Sequence, residues 1–197
     1  MLRNLSYELS RGLAYRKIQH PEMSRYKTVL PLALSTLTTL AITLAPIAPL
    51  LIGKDSLSKE LIPLISILPG FYFAGLAAVA TFGAEQMDRV LPHPAPTLKI
   101  GYIDQEDIQL SKRQFMSYLF SYLVLISLFL CLSLIFFNVF NGSILHILKA
   151  IKDICYGKEI IFVIKLVTIF TYSFLFSSLA VTTLHGIFFL TEKIHQP

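Results

Sequence analysis

FMSYLFSYLVLISLFLCLSLIFFNVF, residues 115–140, runs without one Asp, Glu, Lys or Arg. A helix needs ~20 residues to cross the ~30 Å hydrocarbon core of a bilayer, and this stretch is longer than that. Within it Leu123-Val124-Leu125-Ile126-Ser127-Leu128-Phe129-Leu130 is apolar at almost every successive position. A transmembrane barrel strand would alternate over ~10 residues, so a barrel is excluded. Apolar residues fall all round the helical period, which marks a span and not a surface helix with one wet face.

Three more windows share these properties, at 29–53, 61–84 and 166–191. The chain has 197 residues, of which 54% are hydrophobic and only 15% charged, and its mean hydropathy is +0.65. A soluble domain carries about a quarter charged residues. A soluble globular enzyme and a disordered chain are therefore set aside, and 9 Gly with 10 Pro exclude a collagen-like rod. The expected fold class is all-α: a polytopic integral membrane protein with a four-helix transmembrane bundle (residues 28–197) preceded by an amphipathic interfacial segment (1–27).

Orientation follows from the cations between the spans. Eleven of them fall before the first span, in the 85–114 connector and in the C-terminal tail, against five in the connectors at the other end; Lys165 lies beside the fourth span. Cytoplasmic loops carry the excess of Lys and Arg, so both termini and the 85–114 loop are expected in the cytoplasm, with 141–165 outside. The first span is read as retained, because Pro46 after Ala45 does not suit a signal-peptidase site. A bacterial inner membrane is the expected location, with the net charge of +5 reporting orientation and no direct nucleic-acid binding expected.

In the second span Gly70, Ala74 and Ala78 recur four apart. Small residues let helix backbones approach closely, so this helix is expected to be a packing hub, either inside one bundle or at an oligomer axis. Pro46, Pro49 and Pro69 are expected to kink their helices, which in transporters can line a site. No span carries an intramembrane acid to bind a transported cation. His185, near the end of the fourth span, is expected to pair with a neighbouring hydroxyl such as Thr183, or else to be a proton-responsive group. Serines of the third and fourth spans, such as Ser127, Ser133 and Ser178, are expected to hydrogen-bond between helices.

Leu2, Leu5, Leu9 and Leu13 share one helical face of the N-terminal segment, with Arg3, Arg11, Arg16 and Lys17 in other directions. This suits a helix lying on an anionic leaflet or packed on the protein's own loops. Ile144, Leu148 and Ile151 repeat the pattern after an Asn141-Gly142 turn, predicting an interfacial helix on the outer side. The 85–114 loop holds the alternating prolines of Leu91-Pro92-His93-Pro94-Ala95-Pro96, a stretch 98–103 that reads as a short strand or an extended arm, and the acids Asp104, Glu106 and Asp107. With Tyr102 these acids form a handle for a soluble protein partner. Ser111 and Gln114 stand at the spacing of a helix capping box.

No catalytic constellation is present: no phosphate-cradling glycine loop, no HExxH, no nucleophile elbow. Histidines 20, 93, 146, 185 and 195 are scattered over separate elements, and Cys131 and Cys155 are too few for a disulfide framework or a thiolate metal site. No enzyme activity, cofactor or metal is expected.

A chain of this length with four spans, both ends inside, a basic start Met1-Leu2-Arg3-Asn4-Leu5 and a docking-sized loop at 85–114 resembles the membrane subunit of the Kiwa anti-phage defence system. The resemblance covers the full length and rests on architecture. It implies a homo-oligomeric inner-membrane sensor of phage attack, working with a cytosolic companion that binds DNA. An ion channel or holin-like pore, and behind it a small transporter, are the alternatives that the residues leave open.

Overall fold

A computed structural model describes residues 11–45, 57–81, 83, 85–101 and 106–193. Its elements are a 3-10 strap, Arg11–Lys17; helix α1, Leu30–Leu44, which continues a π turn at Arg25–Val29; α2, Leu57–Thr81; a 3-10 turn, Glu85–Asp88; strands β1, Thr97–Ile100, and β2, Glu106–Gln109; α3, Lys112–Val139; α4, Asn141–Lys152; and α5, Gly157–Phe188, prolonged by a π turn Phe189–Lys193. Four of these helical stretches are long and apolar enough to cross a bilayer: Arg25–Leu44, Ser58–Thr81, Lys112–Val139 and Gly157–Glu192. The protein is an all-α, multi-pass membrane bundle.

The tightest seams join α2 to α3 and α1 to α5, and the two pairs meet along α3 and α5. On α1 the buried positions are Pro31, Ser35 and Thr39, four apart, so a small face lies against α5. On α2 they are Ile65, Tyr72 and Val79, one heptad apart on its packed side. Gly75 lies on this same face: a Cβ there would meet Phe120 Cε1 at 2.7 Å, so only glycine lets the two helices come this close. Gly70, Ala74 and Ala78 face the other way and are exposed. The expectation of a hub at α2 is not met: α2 packs chiefly on α3, and α3 is the helix that also meets the strap, α5 and the Glu85–Asp88 turn.

Several expected boundaries move. The first helix ends at Leu44, short of 53, because Ala45 precedes Pro46 and adopts an extended conformation (ψ 130°); proline's ring excludes the helical form from the residue before it. Residues 46–53 lie outside the described residues. α2 runs as one helix through Pro63 and Pro69. α5 begins at Gly157, so Lys158, Glu159 and Lys165 belong to the helix. Charge ends an uncharged window without ending the hydrogen-bond ladder, and long side chains near a span end can reach the interface. The expected outer loop 141–165 thus consists of α4, a short link at 153–156 and the first turns of α5.

α4 follows α3 with only Phe140 between them (φ −89°, ψ 13°), so the break precedes the Asn141-Gly142 pair. Ile144, Leu148 and Ile151 are half-buried, while Leu145 and Ile147 are exposed, as an interfacial helix with one covered side requires. α3 begins at the expected capping box: Ser111 Oγ accepts from Gln114 N at 3.2 Å, and the Gln114 side chain accepts from Ser111 N at 3.1 Å.

Candidate functional site

At the end of the bundle where α2 and α5 finish and α3 begins, the polar segments fold into a cap. Its first part is the strap. Sequence periodicity predicts a helix lying on a leaflet or packed on the protein's own loops; over the described residues the strap is a 3-10 turn with Ala14 and Tyr15 buried, followed by buried Ile18. Gly12 allows a close approach, since a Cβ there would overlap the Leu125 side chain. Leu13 points away and is 45% exposed. Leu2, Leu5, Leu9 and Arg3 lie outside the described residues.

The strap's cations tie it down. Arg11 donates to Tyr118 Oη at 2.9 Å and to the Lys99 carbonyl at 3.4 Å, Arg16 stacks over the Phe174 ring at 5.7 Å, and Lys17 is exposed. Lys27, at the start of the first span, donates to the carbonyls of Arg16 and Ile18. Tyr15 stacks on Tyr122, centroids 5.3 Å apart. Burial pushes its phenol far above the ordinary range, Tyr122 adding to the shift and Thr182 offsetting part of it. Its hydroxyl makes no hydrogen bond of ordinary geometry among the described residues.

The second part is the 85–111 segment, in which the stretch from 98 takes the strand form of its two expected alternatives. β1 and β2 pair antiparallel with Leu98 opposite Ile108 and Lys99 opposite Asp107. Gln19 and Thr97 exchange backbone hydrogen bonds of 2.8 and 3.0 Å, so the residue after the strap extends the hairpin at its β1 edge. Leu98 and Leu110 are buried with Met23, Met87 and Leu91 in one core with Phe115, Met116 and Leu119 of α3. Arg113 clamps the cap to the bundle, with Nε donating to Asp88 Oδ1 at 2.7 Å, Nη2 to Oδ2 at 3.1 Å, and Nη1 to the Val79 and Ala80 carbonyls at the end of α2. Those carbonyls have no partner inside their helix. The hydrogen bonds from Arg113 hold the Asp88 carboxyl below its ordinary range.

Of the expected docking residues, Glu106 and Asp107 are exposed on β2, while Tyr102 and Asp104 lie outside the described residues. A feature that the sequence reading missed sits between cap and spans: a half-open cleft of about 360 Å³ lined by His20, His93 and His185 together with Tyr26, Phe115 and Phe189. The three histidines looked scattered along the chain, and the fold brings them to one place. His185 stacks on Tyr26, centroids 4.6 Å apart, while Thr183 pairs with Tyr72 Oη at 2.8 Å; the hydroxyl expected for the histidine is used elsewhere. Tyr122 pairs with Ser178 at 2.8 Å between α3 and α5, but Ser127 and Ser133 donate to carbonyls of their own helix. No group of three His, Cys, Asp or Glu among the described residues is placed to hold a metal ion. No protein-family model, no curated protein and no solved structure matches the chain.

Proposed function

We propose that this protein is a non-enzymatic scaffold and sensor of the bacterial inner membrane, with both termini in the cytoplasm, which recruits a soluble effector to its cap. The supporting observation is the cap itself: a hairpin joined to the strap by Gln19, tied through Arg11 to Tyr118 and flanked by the Arg113–Asp88 pair, that presents Glu106 and Asp107 on its outer strand. A rigid, exposed acidic strand suits a partner with basic or strand-forming character. The cation excess at this end favours the cytoplasmic side. The resemblance to the membrane subunit of the Kiwa system adds anti-phage defence as the setting and a DNA-binding protein as the partner.

Homo-oligomerisation belongs to the same reading, because Gly70, Ala74 and Ala78 form a small-residue surface that one copy leaves exposed. That surface also favours a second reading, a homo-oligomeric pore, whose test is ion conductance of the reconstituted protein. The recruitment reading is tested by co-purification from the native host. Glu106→Lys with Asp107→Lys is expected to keep membrane insertion and lose the soluble partner; retention of the partner would overturn it.

A further inference from the structure

The cavity between cap and spans has a composition that neither recruitment nor assembly uses. We propose that it binds the oxygen-substituted aromatic ring of a membrane-borne quinone, whose tail stays in the bilayer. The inference stands apart from the recruitment reading and does not need it.

Position is the first argument. Tyr26 and Phe188 line the cavity from spanning helices and are both part exposed, Phe188 by half, so the rim reaches lipid-facing surface. His93 and Glu22, exposed on the cap, form the opposite rim. A ligand with a ring at the interface and an apolar tail fits both sides at once.

The walls are the second. Phe115 and Phe189 lie 4.8 Å apart between centroids, and Tyr26 stacks on His185. Pro92, Pro94 and Pro96 add flat apolar surface from the cap. A volume near 360 Å³ lies within the ~300–1,000 Å³ of small-molecule sites, which are mostly apolar with a few placed polar groups.

The polar groups are the third. Among the described residues that line it, the cavity has three imidazoles and one carboxylate, with no Lys or Arg. A phosphate or carboxylate ligand would call for fixed cations, and a metal would need ligands closer together than these are. Imidazole, by contrast, donates to a carbonyl through N–H and accepts from a hydroxyl through its other nitrogen. It therefore matches both the quinone and the quinol form of one ring. His20 is already prepared for the first role: its Nδ1 accepts from the Glu22 backbone N–H at 3.2 Å, which leaves the proton of the neutral ring on Nε2. The cavity walls come from the cap and from the spans together, so an occupied site links the two, and the cap gains a contact to the membrane's redox carrier.

The test uses the purified full-length protein in lipid nanodiscs and a photoreactive azidoquinone, with the labelled peptides mapped by mass. The label is expected on peptides containing residues 20–26, 91–96 or 185–189. Decylubiquinone is expected to displace it and decyl alcohol is not; His20→Ala with His93→Ala should weaken displacement about tenfold, an equilibrium shift well above ordinary scatter. Label spread evenly over the spanning helices, or equal competition by decyl alcohol, would overturn the proposal. Equal competition by tail-free 4-hydroxybenzoate would overturn its membrane source. The competition on the unsubstituted protein decides the matter even if the double variant does not fold.

Discussion

The two ends of the bundle use their connecting segments differently. At the cap end the strap, the hairpin and the start of α3 share a core in which Tyr15, Leu98, Leu110, Met116 and Leu119 are each at most 1% exposed. At the other end α4 contributes no buried residue, and Ile147, Ile154 and Tyr156 stand exposed. The cap is held by directional contacts from Arg11, Arg113 and Gln19. α4 has an apolar side with a lipid interface as its natural cover. One end is a packed surface held by its own core, and the other leaves its apolar side chains open.

The strongest way to break this contrast is Tyr15→Ala. It removes a buried aromatic ring from the strap and should cost about 3–5 kcal/mol in denaturant unfolding in micelles, whereas Ile147→Ala at the far end should stay within about 0.5 kcal/mol. Tyr15→Phe should be near neutral, because the hydroxyl it removes is buried without a hydrogen bond of ordinary geometry. Equal losses at Tyr15 and Ile147 would remove the distinction between the ends.

Within α2 the same contrast holds between two faces. Gly75→Leu should force Phe120 aside and destabilise the bundle by about 1–3 kcal/mol. Gly70→Leu, where a Cβ meets nothing within 4 Å, should leave the monomer's stability unchanged and alter the mass of the detergent-purified assembly. The smallest effect concerns acid. The Asp88 carboxyl is held low by Arg113, so the pair strengthens the cap above the ordinary carboxylate pKa, and that contribution disappears as pH falls through the lowered value. Asp88→Asn should therefore melt slightly below the parent protein at about pH 7, and the difference should close as pH falls through the lowered value.

The spans were legible because absence of charge over ~20 residues is a long, redundant signal, and the capping box because Ser111 and Gln114 act locally. The 3-10 form of the strap is not legible because leucines at 5, 9 and 13 suggest an α period, while the contact Tyr15 makes with Tyr122 joins residues far apart in sequence. β2 was missed for a similar reason: Glu106-Asp107-Ile108-Gln109 has poor strand propensity, and pairing with β1 overrides it. The histidine-lined cavity had no sequence signal at all, since residues 20, 93 and 185 come together only when cap and spans pack. The stripe at Gly70, Ala74 and Ala78 announced a close helix contact without saying which partner; Gly75, one position from Ala74, took the contact inside the chain.

The central claim is that cap and α4 lie on opposite sides of one membrane, with the cap inside. Labelling of intact cells with a membrane-impermeant maleimide tests it most directly, using the exposed native Cys155 in the link after α4 and, in a Cys131→Ser, Cys155→Ser background, Lys99→Cys on the hairpin. The expected result is that Cys155 reacts in intact cells and position 99 only after permeabilisation. Labelling of position 99 from outside, or of neither site until the membrane is opened, would contradict the arrangement.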